Sequence, residues 1–153
     1  MAIVIIGKST CKICGLVIKA SDAYTGFPIL VISERDYISS FNDAVVHNTC
    51  LAKDEHRIAL QEAMSRIDKA RKNRVCWVCG EELTTPNDYR FGIFSTDKLS
   101  PLFVYNLCQF HSDHFRDWEQ LSQLLEHLKY ACESGAESLG LCRIYASILD
   151  KLK

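Results

Sequence analysis

"CKICG", residues 11–15, returns as "CWVCG" at residues 76–80. Cys-x-x-Cys-Gly is shared by redox centres, disulfides and metal sites, so the residues downstream of each copy have to separate them. His47 and Cys50 of "HNTC" begin 33 residues after Cys14 (47 − 14), and Cys108 and His111 of "CQFH" begin 29 residues after Cys79 (108 − 79). The halves are offset by 65 at the first pair (76 − 11) and by 61 at the second (108 − 47), so the second middle stretch reads as four residues shorter. A four-donor pattern written twice indicates an internal duplication.

The donor chemistry points to zinc. A Cys-x-x-Cys turn aims two thiolates at one point, and Gly15 and Gly80 can take the positive φ that ends it. Two donors three residues apart in a first helical turn share a face. Soft thiolates with one imidazole favour zinc over magnesium or calcium. The expected ligand sets are Cys11, Cys14, His47 and Cys50, then Cys76, Cys79, Cys108 and His111. Each closes a tetrahedral Cys3His site, so the cofactor expected is two structural Zn2+ ions. A redox pair would open a helix, and neither copy is followed by a helical pattern.

His114 competes with His111 for one position; pairing Cys50 with His111 makes His111 the ligand and His114 a neighbour or a surface residue. His56 and His127 lack ligand-spaced companions and read as solvated or satisfied histidines. Cys132 and Cys142 read as small buried residues of apolar helix faces.

The chain has 153 residues, 48% apolar and 24% charged, with a net charge of −1. That composition is globular, and the charge gives no overall pull toward nucleic acid. Six ligand thiolates and two divalent ions would bring the charge to about −3. No apolar run reaches the roughly 20 residues that span a bilayer, so no membrane partner is expected. "MAIVIIG" (1–7) is too short for a secretory core and reads as a buried strand. A cytoplasmic location is the expectation, with its eight cysteines reduced, metal-bound or catalytic rather than bridged.

The expected fold class is α+β, with two tandem units over residues 1–74 and 75–153. Each reads as knuckle, hairpin and helix. "FPILVIS" (27–33), "DAVV" (43–46), "YRFGIFS" (89–95) and "LFVYNLC" (102–108) are strand-like. Residues 47–73, 111–132 and 141–153 are helical. The apolar stripes are Leu51, Ile58, Ala63, Met64, Ile67 and Ala70 on the first helix and Phe115, Trp118, Leu121, Leu125, Leu128 and Cys132 on the second. The third carries Leu141, Tyr145, Ile148, Leu149 and Leu152. "SGAESLG" (134–140) breaks the last two helices apart. No Gly/Ser tether separates the halves, so contacts between them are expected through the long first helix.

This order resembles the treble-clef zinc finger family, from the first cysteine of each half through its helix. The resemblance implies a fold and a structural metal, and leaves the function open. The first half shares its Cys-x2-Cys to His-x2-Cys spacing with LIM domains, but a long helix stands where those domains place four more ligands.

Treble-clef nucleases of the HNH type place a catalytic His on the hairpin, and residues 15–46 and 80–107 contain none. His47 of the tempting "HN" is spent as a ligand. Four-ligand sites leave no open position, and no nucleophile motif or phosphate loop appears. A non-enzyme is expected. The basic run Arg66, Lys69, Arg71, Lys72 and Arg74 suits a helix C-terminus. Tyr89, Phe91, Phe94, Phe103 and Tyr105 read first as core. The expected function is protein binding, as an adaptor or an inhibitor such as a bacterial toxin-neutralising immunity protein. The alternative is a nucleic-acid-binding regulator using the basic run.

Overall fold

In a computed structural model describing residues 3–85, 88–133 and 139–152, two similar halves of short antiparallel sheet and helix follow one another. The first holds β1 (Tyr24–Gly26), β2 (Val45–His47), α1 (Asn48–Leu51) and α2 (Arg57–Lys72). The second holds β3 (Tyr89–Arg90), β4 (Gln109–Phe110), α3 (Ser112–Arg116) and α4 (Leu121–Glu133), and α5 (Leu139–Leu152) comes last. Mixed helix and small antiparallel sheets agree with the α+β expectation. Among the described residues, no helix is long and apolar enough to cross a membrane.

The halves repeat one another bond for bond. Gly15 N–H donates to Cys11 O and Gly80 N–H to Cys76 O, at 2.8 and 2.9 Å. Both glycines hold the left-handed conformation, φ +73° and +75°, that turns the chain back past the second cysteine. Thr25 then faces Val46 across β1–β2, as Tyr89 faces Phe110 across β3–β4. Each hairpin encloses a long excursion, tied down by one asparagine. Asn42 Oδ1 accepts from the N–H groups of Leu30 and Val31 while Nδ2 donates to Val31 O. Asn106 does the same to Phe94 and Ser95. These side chains stand in for a missing strand, satisfying backbone groups that no ladder reaches.

Several sequence expectations change here. "LFVYNLC" is no strand: Phe103–Tyr105 form a 3-10 turn and Leu107 has a φ of +63°. Its counterpart Ser39–Phe41 is also a 3-10 turn, with Asp43 at +52°. "FPILVIS" lies outside the paired strands. Residues 3–7 are not a buried strand either: Ile3 and Ile5 are 86% and 52% exposed. Beyond its own turn this stretch is tied by Gly7 N–H, which donates to Ile18 O.

The long helices are each broken after the first turn. Asp54 accepts the His56 N–H ahead of α2, and the break resets the helical phase, so that Leu60, Ala63 and Ile67 face inward while Ile58 faces solvent. The same happens at α4, which buries Leu121, Leu124, Leu128 and Ala131, with Leu125 only partly buried. α5 packs against α4 with Leu141 and Ile148 buried. A disulfide joins Cys132 to Cys142 across the two helices; these cysteines are bridged, contrary to expectation, because the packing brings their Cα atoms to 5.5 Å. Most of the intervening "SGAESLG" lies outside the described residues.

The halves meet along a seam. Ile32 and Ser33 donate their N–H groups to Ile93 O and Phe94 O. Asp36 accepts from both the N–H and the hydroxyl of Thr96. Gln109 Nε2 donates to Ala70 O at the end of α2, at 2.8 Å. Ile93 belongs to the first core and Ile32 packs against the second. The hairpin aromatics Phe91, Phe94 and Tyr105 are buried.

Candidate metal centre

Two groups of four donors converge. In each, the donor atoms all lie within 4.8 Å of one another: Cys11, Cys14, His47 and Cys50 in one, Cys76, Cys79, His111 and His114 in the other. The knuckle supplies the first two donors. The last two sit at the start of a short helix, since His47 precedes α1 and His111 precedes α3. A tetrahedral ion has donor–donor edges of roughly 3.4–3.8 Å. The shortest separations are close to this: Cys14 Sγ and Cys50 Sγ lie 3.4 and 3.9 Å from His47 Nδ1, Cys76 Sγ lies 3.5 Å from His114 Nδ1, and Cys79 Sγ lies 3.6 Å from His111 Nδ1.

The second group corrects the sequence expectation. His114, not Cys108, comes together with the other three. Cys108 is 1% exposed inside the second core, with its thiol toward Val104 O at 3.9 Å. Its backbone carbonyl takes the Phe91 N–H, as Ala44 takes that of Phe27, so Cys108 fills the alanine position of the repeat. Burial pushes its thiol up to about 12, and it stands outside the group of converging donors. The signal was in the spacing: 111 − 47 and 114 − 50 both equal 64, close to the 65 of the knuckles. Asn42 and Asn106, also 64 apart, mark the same register and were missed.

Local electrostatics prepare one thiolate per group. Burial opposes the Cys11 thiolate, but N–H groups of Cys14, His47 and Ile13 prevail and bring it down to about 6. At Cys76 burial is likewise outweighed, by the N–H groups of Cys79, His111 and Val78 and by the His114 side chain, again to about 6. Cys50 goes the other way, to about 11, through burial and then the Cys14 and Cys11 sulfurs. Crowded sulfurs that raise one another's pKa are relieved by a shared cation.

The histidines are oriented for ligation from behind. His47 Nε2 lies 3.2 Å from Asp22 Oδ2 and His111 Nε2 lies 3.3 Å from Glu82 O. An N–H donated there leaves each Nδ1 lone pair facing the sulfurs. Asp22 is itself held by the Lys19 N–H, which lowers its carboxyl below the ordinary range. The residues present therefore fit a metal ion in both groups. His56 instead contacts Asp54 and the rings of Tyr37 and Phe41, and His127 lies beside Tyr105. Comparison with protein-family models, with curated proteins and with solved structures finds no match to this chain.

Proposed function

We propose that the chain is a non-enzymatic, zinc-stabilised interaction module. Its two units, residues 1–74 and 75–153, are treble-clef-like and bind a protein partner as an adaptor or inhibitor; an immunity protein capping a bacterial toxin is one concrete form. The observation that carries this is the repeated closed group of four protein donors. Four donors complete a tetrahedral zinc shell and leave no position for substrate or water. Thiolate and imidazole donors choose zinc among the common divalent ions. With five ligand thiolates rather than six, the loaded protein carries about −2.

What such a scaffold displays supports a partner. The knuckles expose Ile13, Leu16 and Val17 on one half and Trp77 and Val78 on the other. Exposed apolar groups gathered at two equivalent turns suit an interface. A cytoplasmic setting suits unbridged ligand thiols, while the Cys132–Cys142 disulfide favours an oxidising one. Elemental analysis should give two zinc ions per chain, and nuclease-treated affinity purification should recover one stoichiometric protein. Co-purifying nucleic acid without a protein would transfer the function to the alternative, a nucleic-acid-binding regulator. That second reading is favoured by Arg66 and Lys69 lining the same hollow as Trp77.

A further inference from the structure

The seam between α2 and the second half holds two adjoining hollows that share Ala70, Leu107 and Gln109. The smaller, about 200 Å³, is walled by Ile29, Ile67, Phe91 and Ile93, with Arg71 and Arg90 at its edge. The larger, about 420 Å³, is lined by Arg66, Lys69, Asn73, Val75 and Trp77. Four cations and no carboxylate line the pair among the described residues. Asp68 approaches Arg71 only at 3.8 Å and both are more than half exposed, an arrangement that neutralises little. In a chain of net charge −1, this is a local reversal of sign.

We infer that this groove docks an acidic peptide segment of the partner, anchored by one apolar side chain. This rests on the protein-partner reading above and names that partner's chemistry. The smaller hollow falls below the roughly 300–1,000 Å³ of pockets that take whole small molecules. It suits a single Leu- or Phe-sized anchor, the kind of buried contact that dominates interface energy. Arg71 and Arg90 beside it, and Arg66 and Lys69 beyond, pair with carboxylates flanking the anchor; arginine does so in bidentate fashion. Gln109, 7% exposed, lines both hollows, and its amide nitrogen donates to Ala70 O, so it braces the floor between them. Single-stranded nucleic acid fits less well, since it needs successive open rings for stacking. Of the rings lining the groove, Trp77 is open while Phe91 is 8% exposed.

The test is selection of a displayed random 12-residue peptide library on the zinc-loaded full chain, with the Lys69→Glu/Arg90→Glu double variant as the comparison. Both positions are exposed, so metal content and circular dichroism should not change. The expected winners are net negative, with Leu, Phe or Trp between acidic residues. A synthesised winner should bind the double variant at least about tenfold more weakly, ~1.4 kcal/mol, and its Asn/Gln counterpart should lose as much on the natural chain. Winners without acidic residues, or indifferent to the double variant, overturn the groove and leave the protein-binding reading standing. No enrichment at all overturns the groove as a peptide site, while the protein-binding reading is decided by the affinity purification above. A 12-nucleotide oligo(U) that displaces the winner and binds more tightly overturns the peptide and makes this a nucleic-acid site.

Discussion

The two candidate metal centres share one backbone and differ in what fills it. The first is Cys3His and the second Cys2His2, the change falling at Cys50 and His114, which hold the same place in α1 and α3. Behind the metal-facing histidines, Asp22 backs His47 with a carboxylate where Glu82 backs His111 with a main-chain carbonyl. A divalent ion with three thiolates leaves one negative charge, and with two it leaves none. The donor count is thus held by the fold, while charge and basicity are free to vary. The second centre, with less negative charge and a weaker acceptor behind its histidine, should bind its ion less tightly.

The harshest way to break the comparison is to remove a buried knuckle thiolate. Cys11→Ser and Cys76→Ser should each cut zinc from two ions to one and unfold mainly their own half, since structural zinc supplies roughly 10 kcal/mol or more of apparent folding free energy in small fingers. His114→Ala should also lose one ion, whereas Cys108→Ala should keep both. Elemental analysis of these two variants decides between the donors: a Cys108→Ala protein with a single zinc would restore Cys108 to the site.

Acid should act on both centres more gently. The thiols of Cys11 and Cys76 are lowered from 9.0 to about 6. Their stabilising contribution is complete above the unfolded value and is lost as pH falls through about 6. Cys108, outside the donor groups, is raised to about 12; its contribution is present at neutral pH and is lost as pH rises toward that value. Acidification from pH 7.5 to 5 should therefore release zinc. A chromogenic chelator reads the release, and zinc fully retained at pH 5 would contradict it.

Asp22→Asn should weaken zinc at the first centre by about 10- to 100-fold, the usual loss when the group behind a ligand histidine is changed, and leave the second untouched. Equal weakening at both would remove Asp22 from this role. Asn42→Ala and Asn106→Ala should each destabilise by about 1–3 kcal/mol, because two backbone N–H groups lose their acceptor in either half. Chemical denaturation of the zinc-loaded protein measures this; a markedly smaller loss in one half would show that its excursion is held by other contacts.

The knuckles were legible because the chemistry leaves little choice: two thiolates, a tight turn and a glycine at positive φ. The helix-start donors were only half legible. Cys108, His111 and His114 offer three donors in seven residues, and composition alone cannot say which of them face the knuckle. Register does, and it is set by Asn106 and the Tyr89–Phe110 pairing, long-range features with no local signature. "LFVYNLC" misled for a related reason, since a short apolar run fits a strand or a buried turn equally well. "MAIVIIG" looked buried on hydrophobicity alone, yet Ile3 and Ile5 lie outside the core. The Cys132–Cys142 pairing was invisible because it arises from helix packing rather than from spacing.

Gln109 stands one residue before Phe110 and two before His111, and its side chain also closes the last turn of α2 in the other half. Its carbonyl takes the N–H of Trp77, inside the second knuckle. An ion arriving at the second centre fixes His111 and the knuckle, and through this one residue it steadies a helix end belonging to the first. The two ions should accordingly load cooperatively. Trp77 and Trp118 are the chain's two tryptophans and both lie in the second half, so fluorescence follows one loading step while total zinc follows both. Curves that fit two independent sites would cut that link.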